Sequence, residues 1–238
     1  MSATLTVLAS GSSANGYIIQ ADNEVLILEA GVPFKECAKA LAHDISKVKA
    51  VICSHGHKDH SAYIKQYQQH GLTVYSNTDV ASDFDGVKEL EPMKKYHFGG
   101  FTVIALSAYH NVDCLSFIID HESFGRIVFI TDSYQWPYKV SNVTYWMIEA
   151  NYDKDIVIKA KCDGIDIRSQ SQYHMAIDET FNTLKLNRSS STMGIFLIHL
   201  SDALSDAKGF ERRVHNEIGV ETHSVGMGDI FGLKTCDF

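Results

Sequence analysis

The 238-residue sequence has few of the features that divide a chain into domains: three prolines, no Ser/Gly-rich or charge-block linker and no internal repeat. Apolar residues make up 45% of the chain and charged residues 21%, which is ordinary for a soluble globular protein. A chain of this length can form one large α/β domain or two small ones. Because no linker interrupts it, we expect a single compact domain over residues 1–238.

Clusters of basic residues are also missing, and the formal net charge is −8. Surfaces that bind nucleic acids without sequence preference are rich in Lys and Arg, which contact the phosphates. The composition therefore weighs against tight binding to long DNA or RNA. Divalent cations bound in a cleft would offset this shortage, since they add positive charge there.

Membrane and secretion signals are missing from the sequence as well. No apolar run approaches the roughly 20 residues needed to cross a bilayer, and the segment 1–4 lacks the basic region of a secretory leader. The cysteines are odd in number and form no C-x-x-C pair, so reduced thiols fit better than a disulfide framework. These are Cys37, Cys53, Cys114, Cys162 and Cys236. We expect a cytoplasmic protein with no membrane contact.

The most informative segment is Ser54-His55-Gly56-His57-Lys58-Asp59-His60, which directly follows the apolar run at 50–53. It places three imidazoles and a carboxylate within six residues, and these donors suit zinc and similar divalent ions. Packing does not explain such a cluster, because buried imidazoles need partners. Four donors also exceed what one catalytic zinc with an open water position takes, so we expect two ions.

Strand and helix patterns alternate along the chain and predict an α/β fold. Short apolar runs predict strands near 3–9, 16–20, 24–29, 49–54, 72–76, 101–107, 115–120, 126–131, 145–149 and 195–198, and helical spacing predicts helices near 34–43, 61–69, 175–187 and 203–217. The histidine-rich motif then occupies a strand-to-helix loop, with the helix beginning at about Ser61.

Three further donors each follow a predicted strand: His110, Asp132 and His199. Taken singly, such a histidine is more often a surface or hydrogen-bonded residue, and such an aspartate more often caps a helix or forms a turn. Together with the motif they give the seven donors, including a carboxylate that can bridge, that a two-metal centre requires. Strand ends are also places where a rigid sheet commonly fixes catalytic groups.

This pattern, H-x-H-x-D-H followed by His, Asp and His at strand ends, resembles the metallo-β-lactamase superfamily over nearly the whole chain. The resemblance implies a four-layered αβ/βα sandwich, two mixed β-sheets flanked by helices, with the metals at one edge between the sheets. The implied ligand sets are His55, His57 and His110 for one ion, Asp59, His60 and His199 for the second, and Asp132 as the bridge between them.

Within the superfamily the chain resembles the WalJ/YycJ-type metal-dependent nucleases and phosphodiesterases. The matching segments are 8–16 (LASGSSANG), 26–31, 131–133, 149–153 and 199–201. A histidine at position 57, where the flavin-dependent redox branch carries Glu, favours hydrolysis over electron transfer, and the donor set is unlike the cysteine-containing site of many true β-lactamases. Two residues depart from the pattern: Glu29 replaces an Asp that orients ligands, and Tyr152 replaces a His.

Two such ions lower the pKa of a bridging water enough to give hydroxide near neutral pH. We expect the ligands Asp59 and Asp132 to act in catalysis, with Asp132 orienting this nucleophile. His174 is the candidate general acid for the leaving alkoxide, or else a histidine that only hydrogen-bonds across the cleft. Ser12, Asn111 and Tyr152 are candidate substrate contacts, and the aromatic segment 134–136 either stacks on a base or packs inside the protein.

These features predict a hydrolase with two Zn²⁺ or Mn²⁺ ions that acts on a phosphodiester, favouring an exonuclease-like enzyme of DNA or RNA. The acidic composition leaves open a small substrate such as a cyclic nucleotide. A thioester or lactone hydrolase is a further alternative, and a metal-stabilised binding module is the least favoured because all seven ligands are kept. A homodimer is compatible with the resemblance, but no sequence feature requires one.

Overall fold

A computed structural model describes residues 3–164 and 173–235. Its described strands form two seven-stranded sheets. The first sheet contains β1 (Ala3–Ala9), β2 (Gly16–Ala21), β3 (Glu24–Leu28), β4 (Val48–Ile52), β5 (Val74–Ser76), β6 (Lys88–Glu89) and β14 (Ile230–Leu233). The second contains β7 (Lys95–Phe98), β8 (Phe101–Ala108), β9 (Cys114–His121), β10 (Gly125–Ile130), β11 (Tyr145–Glu149), β12 (Gly194–Ile198) and β13 (Glu221–Ser224). Cys236 lies outside the described residues.

Both sheets have the same mixed topology. The strand order is β14-β1-β2-β3-β4-β5-β6 in the first and β7-β8-β9-β10-β11-β12-β13 in the second. In each, the first three pairings are antiparallel and the last three are parallel. The carboxyl ends of parallel strands meet at one edge of a sheet, so each sheet can present several loops side by side.

Helices cover the outer faces of the two sheets. They are α1 (Phe34–Ala40), α2 (Lys58–Ser61), α3 (Ile64–Gln69), α4 (Thr78–Asp83), α5 (Lys154–Cys162), α6 (Ile177–Leu186) and α7 (Ala207–Ile218), with a 3₁₀ turn at Ile45–Lys47. Helices α1 and α3 pack on the first sheet, and α6 and α7 pack on the second. A third apolar cluster, which includes Leu5, Tyr17, Phe117 and Phe129, fills the space between the sheets. The four-layered αβ/βα sandwich predicted from the sequence is confirmed.

One predicted boundary at the histidine-rich motif is wrong. The helix does not begin at Ser61: α2 begins at Lys58, so Asp59 and His60 lie in its first turn, and α3 follows only at Ile64. Because residues of one helical turn are rigidly spaced, this start fixes the two donors relative to each other.

Backbone hydrogen bonds to neighbouring loops explain the break between α2 and α3. The carbonyl oxygens of Asp59 and His60 accept hydrogen bonds from the backbone N–H groups of Asn15 (2.7 Å) and Ala30 (2.8 Å), and Tyr63 N–H donates to the Ala30 carbonyl (2.9 Å). These groups belong to the loops after β1 and β3. The helix therefore exchanges internal hydrogen bonds for bonds that tie the motif to the first sheet.

Within the described residues, no helix combines the length and the apolar character that crossing a bilayer requires.

Gly31 lies against the backbone of the motif, and its substitution tests this packing. A Cβ at this position would overlap the carbonyl oxygen of Asp59 and lie 2.8 Å from that of Asn15. We predict that Gly31→Ala lowers the free energy of unfolding by about 3 kcal/mol, because backbone atoms cannot move aside as a side chain can. The measurement is urea denaturation followed by circular dichroism.

Gly232→Ala is the matched control, since nothing lies within 4 Å of a Cβ built there. We expect it to stay within about 0.5 kcal/mol of the wild type. If the two variants are equally stable, the loop bearing Gly31 moves to accept the added methyl group, which would contradict the prediction.

Candidate metal centre

The predicted ligands lie at strand ends on one edge of the sandwich. His55 comes three residues after β4 in the first sheet. In the second, His110 and Asp132 come two residues after β8 and β10, and His199 directly follows β12. All seven predicted ligands converge there into two donor groups. The edge site between the sheets is thus assembled by both halves of the fold.

Three residues at this edge adopt the left-handed backbone conformation that favours glycine. The φ angles are +67° for Glu29, +46° for Asp132 and +53° for His199. Each such residue costs roughly 1–2 kcal/mol relative to ordinary conformations. The conformation turns the chain sharply where the strand ends, and strain of this kind commonly persists at functional sites.

The first donor group consists of His55, His57, His110 and Asp132, whose ligand atoms lie within 4.8 Å of one another. His110 Nε2 is 3.2 Å from His57 Nδ1. Oδ2 of Asp132 is 3.3 Å from His55 Nε2 and 3.5 Å from His110 Nε2. Three imidazoles and a carboxylate oxygen therefore face one point.

The second donor group consists of Asp59, His60, His199 and the same Asp132. Asp59 Oδ2 is 3.1 Å from His60 Nε2 and 3.3 Å from His199 Nε2. Asp132 contributes to this group too, with Oδ1 3.2 Å from His199 Nε2 and Oδ2 3.4 Å from His60 Nε2. Asp132 is the one residue that the two predicted ligand sets share.

In the first group, hydrogen bonds on the far ring nitrogens turn the near ones toward the centre. His110 Nδ1 lies 3.0 Å from the carbonyl oxygen of Tyr173, an acceptor, so Nδ1 carries the proton and Nε2 keeps its lone pair. His55 Nδ1 bonds the Ser54 hydroxyl at 2.9 Å. Partners of this kind orient metal-binding histidines and raise their basicity.

In the second group, buried carboxylates lie near the far ring nitrogens at ion-pair distances. Glu29 Oε1 is 3.5 Å from His60 Nδ1, and both Glu29 oxygens accept from the backbone N–H of Ser54. Glu149 Oε1 is 3.4 Å from His199 Nδ1. Both glutamates are fully buried behind the ligands.

The donor atoms fit a divalent metal ion. His55 Nε2 is fully buried and has no hydrogen-bond partner among the described residues. Burial, aided by the charge of His60, lowers the pKa of His55, so this nitrogen presents an unprotonated lone pair to the first group. Metal binding needs neutral imidazole and ionised carboxylate, and a cation would satisfy the atom that the protein leaves without a partner.

The electrostatics also suit a cation. Burial works to raise the pKa of Asp132 and of Asp59, but the surrounding imidazoles hold both pKa values well below the usual range. Burial lowers the pKa of His199, yet the Asp132 carboxylate and the bond to Asp59 raise it to about 10. The raised pKa of His199 reports the negative potential of the neighbouring carboxylates, and such a potential also attracts divalent ions.

Two buried residues that the sequence analysis did not assign contact the ligands. Glu149 binds His174 Nδ1 at 2.6 Å and accepts from the backbone N–H of Ser133 at 2.9 Å. The Asn15 side-chain amide lies 3.3 Å from Asp59 Oδ2 and 3.1 Å from His60 Nε2. Glu149 ends an apolar strand, the same signal that pointed to Asp132, whereas Asn15 has no distinguishing pattern.

A cavity of about 340 Å³ connects the donor groups to the surface. Two of the predicted substrate contacts, Ser12 and Asn111, line it together with His174 and Lys58. Tyr152, the third predicted substrate contact, is not among the described lining residues. It pairs instead with Ala176 in an isolated β-bridge.

Comparisons with known proteins agree with this geometry. The family described as "Beta-lactamase superfamily domain" matches residues 30–199. Exodeoxyribonuclease WalJ of Streptococcus pneumoniae serotype 2 is 24% identical over 171 residues. That match covers 64% of each chain, so this chain spans less than two thirds of the relative's length.

Solved structures share the fold at low identity. The metallo-beta-lactamase fold protein YhfI from Bacillus subtilis has a TM-score of 0.77 and 20% identity, covering 98% of this chain and 100% of that one. A diphosphatase from the PhnP family has a TM-score of 0.70 and 15% identity, covering 99% of each chain. The resemblance drawn from the motif is confirmed: the protein belongs to the beta-lactamase superfamily, a superfamily of metallo-hydrolases.

Proposed function

We propose that the protein is a dinuclear metal-dependent phosphodiester hydrolase, and specifically an exonuclease-like enzyme of DNA or RNA. The observation that carries the proposal is the pair of donor groups that share Asp132 at the floor of an open cavity. The similarity to a relative named as an exodeoxyribonuclease supports the choice of a nucleic-acid substrate.

In this proposal the two ligand sets are those predicted from the sequence. His55, His57 and His110 would hold one Zn²⁺ or Mn²⁺ ion, Asp59, His60 and His199 would hold the other, and Asp132 would be shared by the two sets. When bound, two such ions supply an acidified water and positive charge for the phosphoryl oxygens. The protein supplies the orientation, since the far nitrogens of His55 and His110 are hydrogen-bonded and those of His60 and His199 lie beside buried carboxylates.

The dyad of Glu149 and His174 is suited to deliver a proton to the leaving group. Glu149 Oε1 accepts from His174 Nδ1 at 2.6 Å, which leaves Nε2 as the ring nitrogen available to the cavity. The His174 ring stacks on His199 at 5.2 Å between centroids and so stays beside the second ligand set. A departing alkoxide needs a proton, and a histidine held by a carboxylate is a common donor.

Polar side chains at the cavity can hold the phosphodiester. Lys58 is the only Lys or Arg among its described lining residues, and Ser12 and Asn111 add neutral hydrogen-bond donors. A charged donor and two neutral ones match the non-bridging oxygens of a single phosphate.

This same scarcity of cations favours a second candidate, hydrolysis of a small phosphodiester such as a cyclic nucleotide. A polymer offers many phosphates, and a protein that binds it through them needs several Lys or Arg residues. With one cation at the cavity and a net charge of −8, a substrate with one phosphate is an alternative.

The deciding experiment uses protein loaded with zinc or manganese and compares a 5′-phosphorylated DNA oligonucleotide, a matching RNA, 3′,5′-cyclic nucleotides and a glutathione thioester. We expect stepwise degradation of an oligonucleotide and no activity in Asp132→Ala. Turnover of cyclic nucleotides with intact oligonucleotides would establish the second candidate. Turnover of the thioester alone would overturn both.

Metal stoichiometry tests the ligand assignment without any substrate. We predict about two ions per wild-type chain, about one in His110→Ala and none in Asp132→Ala, because only Asp132 serves both groups. The measurement is elemental analysis after dialysis against metal-free buffer. His97→Ala, which removes an exposed imidazole on β7, is the control and should keep both ions. Two ions in His110→Ala would contradict the assignment.

The proton-donor role of His174 predicts a dependence on the leaving group. His174→Ala should lower kcat about 100-fold or more for an oligonucleotide, whose alkoxide must be protonated. The same variant should lose little activity on bis(p-nitrophenyl) phosphate, because nitrophenolate leaves as a stable anion. Equal losses on both substrates would assign His174 a structural role instead.

A further inference from the structure

An exposed pair of tyrosines lies beside the proposed catalytic centre. Tyr109 and Tyr134 are 39% and 41% exposed, and no other Phe, Tyr or Trp in residues 3–164 and 173–235 is exposed to this degree. Their rings meet edge to face, with centroids 5.9 Å apart and planes at 63°. Trp136, in the same segment as Tyr134, is buried and donates to the Ser116 hydroxyl, so it belongs to the core.

The pair is next to the ligands in the chain. Tyr109 directly precedes His110, and Tyr134 follows Asp132 by two residues. Consecutive Cα atoms are 3.8 Å apart, so each tyrosine backbone lies within about 8 Å of a ligand backbone. The described lining of the cavity includes neither tyrosine, so the pair forms a surface next to the cavity and is not part of its wall.

Hydrogen bonds fix the two backbones to each other and to the site. Tyr134 N–H donates to the Tyr109 carbonyl at 3.0 Å, and Tyr109 N–H donates to the Ser133 hydroxyl at 2.9 Å. Ser133 N–H donates to Glu149, the carboxylate that also holds His174. The exposed rings therefore stand on a rigid support shared with the proposed proton donor, as a preformed binding surface requires.

A nucleobase fits this surface better than a protein partner does. Two tyrosines, with Val112 in the neighbouring loop also 38% exposed, are far smaller than the roughly 800 Å² per partner of a stable protein interface. Stacking on aromatic rings is worth enough per base to hold single strands and needs no phosphate contacts. Stacking would therefore add binding free energy for the substrate beyond what the single lysine at the cavity supplies.

We propose that Tyr109 and Tyr134 form a stacking site for the base next to the phosphate that is hydrolysed. This inference rests on the proposed function and extends it, since it makes the substrate a nucleobase-bearing phosphodiester. It also makes the two tyrosines determinants of substrate binding, whereas His174 and the metal ligands determine the chemical step.

The test compares Tyr109→Ala and Tyr134→Ala with wild-type protein. Binding is followed by quenching of 2-aminopurine placed at either end of a phosphorothioate oligonucleotide, and by titration of an abasic oligonucleotide of the same length. We expect each variant to bind the base-bearing strand about 10-fold more weakly and the abasic strand unchanged. KM for a cleavable oligonucleotide should rise in parallel while kcat is kept. Leu186→Ala, which removes an exposed apolar side chain at the end of α6, is the control.

The outcomes separate this inference from the proposed function. Hydrolysis with equal affinity for base-bearing and abasic strands would overturn the stacking site and leave the nuclease standing. Base-dependent quenching without hydrolysis would keep the stacking site and overturn the nuclease. A concentration-dependent dimer that dissociates in Tyr134→Ala would overturn the stacking site by assigning the surface to a second copy of the chain.

Discussion

The site depends on one interaction: a buried aspartate carboxylate surrounded by four imidazoles. Asp132 is 1% exposed, and ring nitrogens of His55, His60, His110 and His199 lie within 3.5 Å of its oxygens. Burying an ionised carboxylate costs several kcal/mol unless it is compensated. His60 and His199 compensate it, since the Asp132 carboxylate raises the pKa of both rings against the effect of their burial, and all four rings place a nitrogen beside the same carboxylate. The contacts that offset the free-energy cost of burying Asp132 are therefore the same contacts that bring the candidate ligands together.

This arrangement requires both sheets, because neither holds a complete ligand set. The motif that follows β4 comes from the first sheet, and His110, Asp132 and His199 come from the second. Hydrogen bonds that cross between the sheets set their distance at this edge. Leu115 N–H donates to the Ser54 carbonyl at 3.0 Å, and His199 N–H donates to the Ser10 hydroxyl at 2.9 Å. Ser10 lies in the serine-rich loop after β1, which thus has a structural role in addition to placing Ser12 at the cavity.

The fold and the convergence of the candidate ligands could be predicted from the sequence because both leave a pattern in it. Buried strands such as Tyr145–Glu149 are continuous apolar runs, and metal binding restricts the residue type at each ligand position. Elements without such a pattern were missed. Strand β6 has two exposed residues, and helix α5 buries only Val157 and so has no apolar stripe. The break between α2 and α3 was not predicted because it depends on bonds to Asn15 and Ala30, which are distant in sequence.

The residues that support the ligands were harder to predict, and Glu29 shows why. The resemblance marks Glu29 as an unusual replacement for Asp, but the sequence does not show how the longer side chain fits. In the structure its backbone turns into the left-handed region at φ +67°, and its carboxylate accepts from Ser54 N–H through both oxygens. The glutamate side chain thus reaches from the end of β3 to the backbone just after β4, and its Oε1 lies 3.5 Å from His60 Nδ1. The carboxylate of Glu29 therefore lies beside the ring of a candidate ligand, the position in which the resemblance implies an orienting Asp.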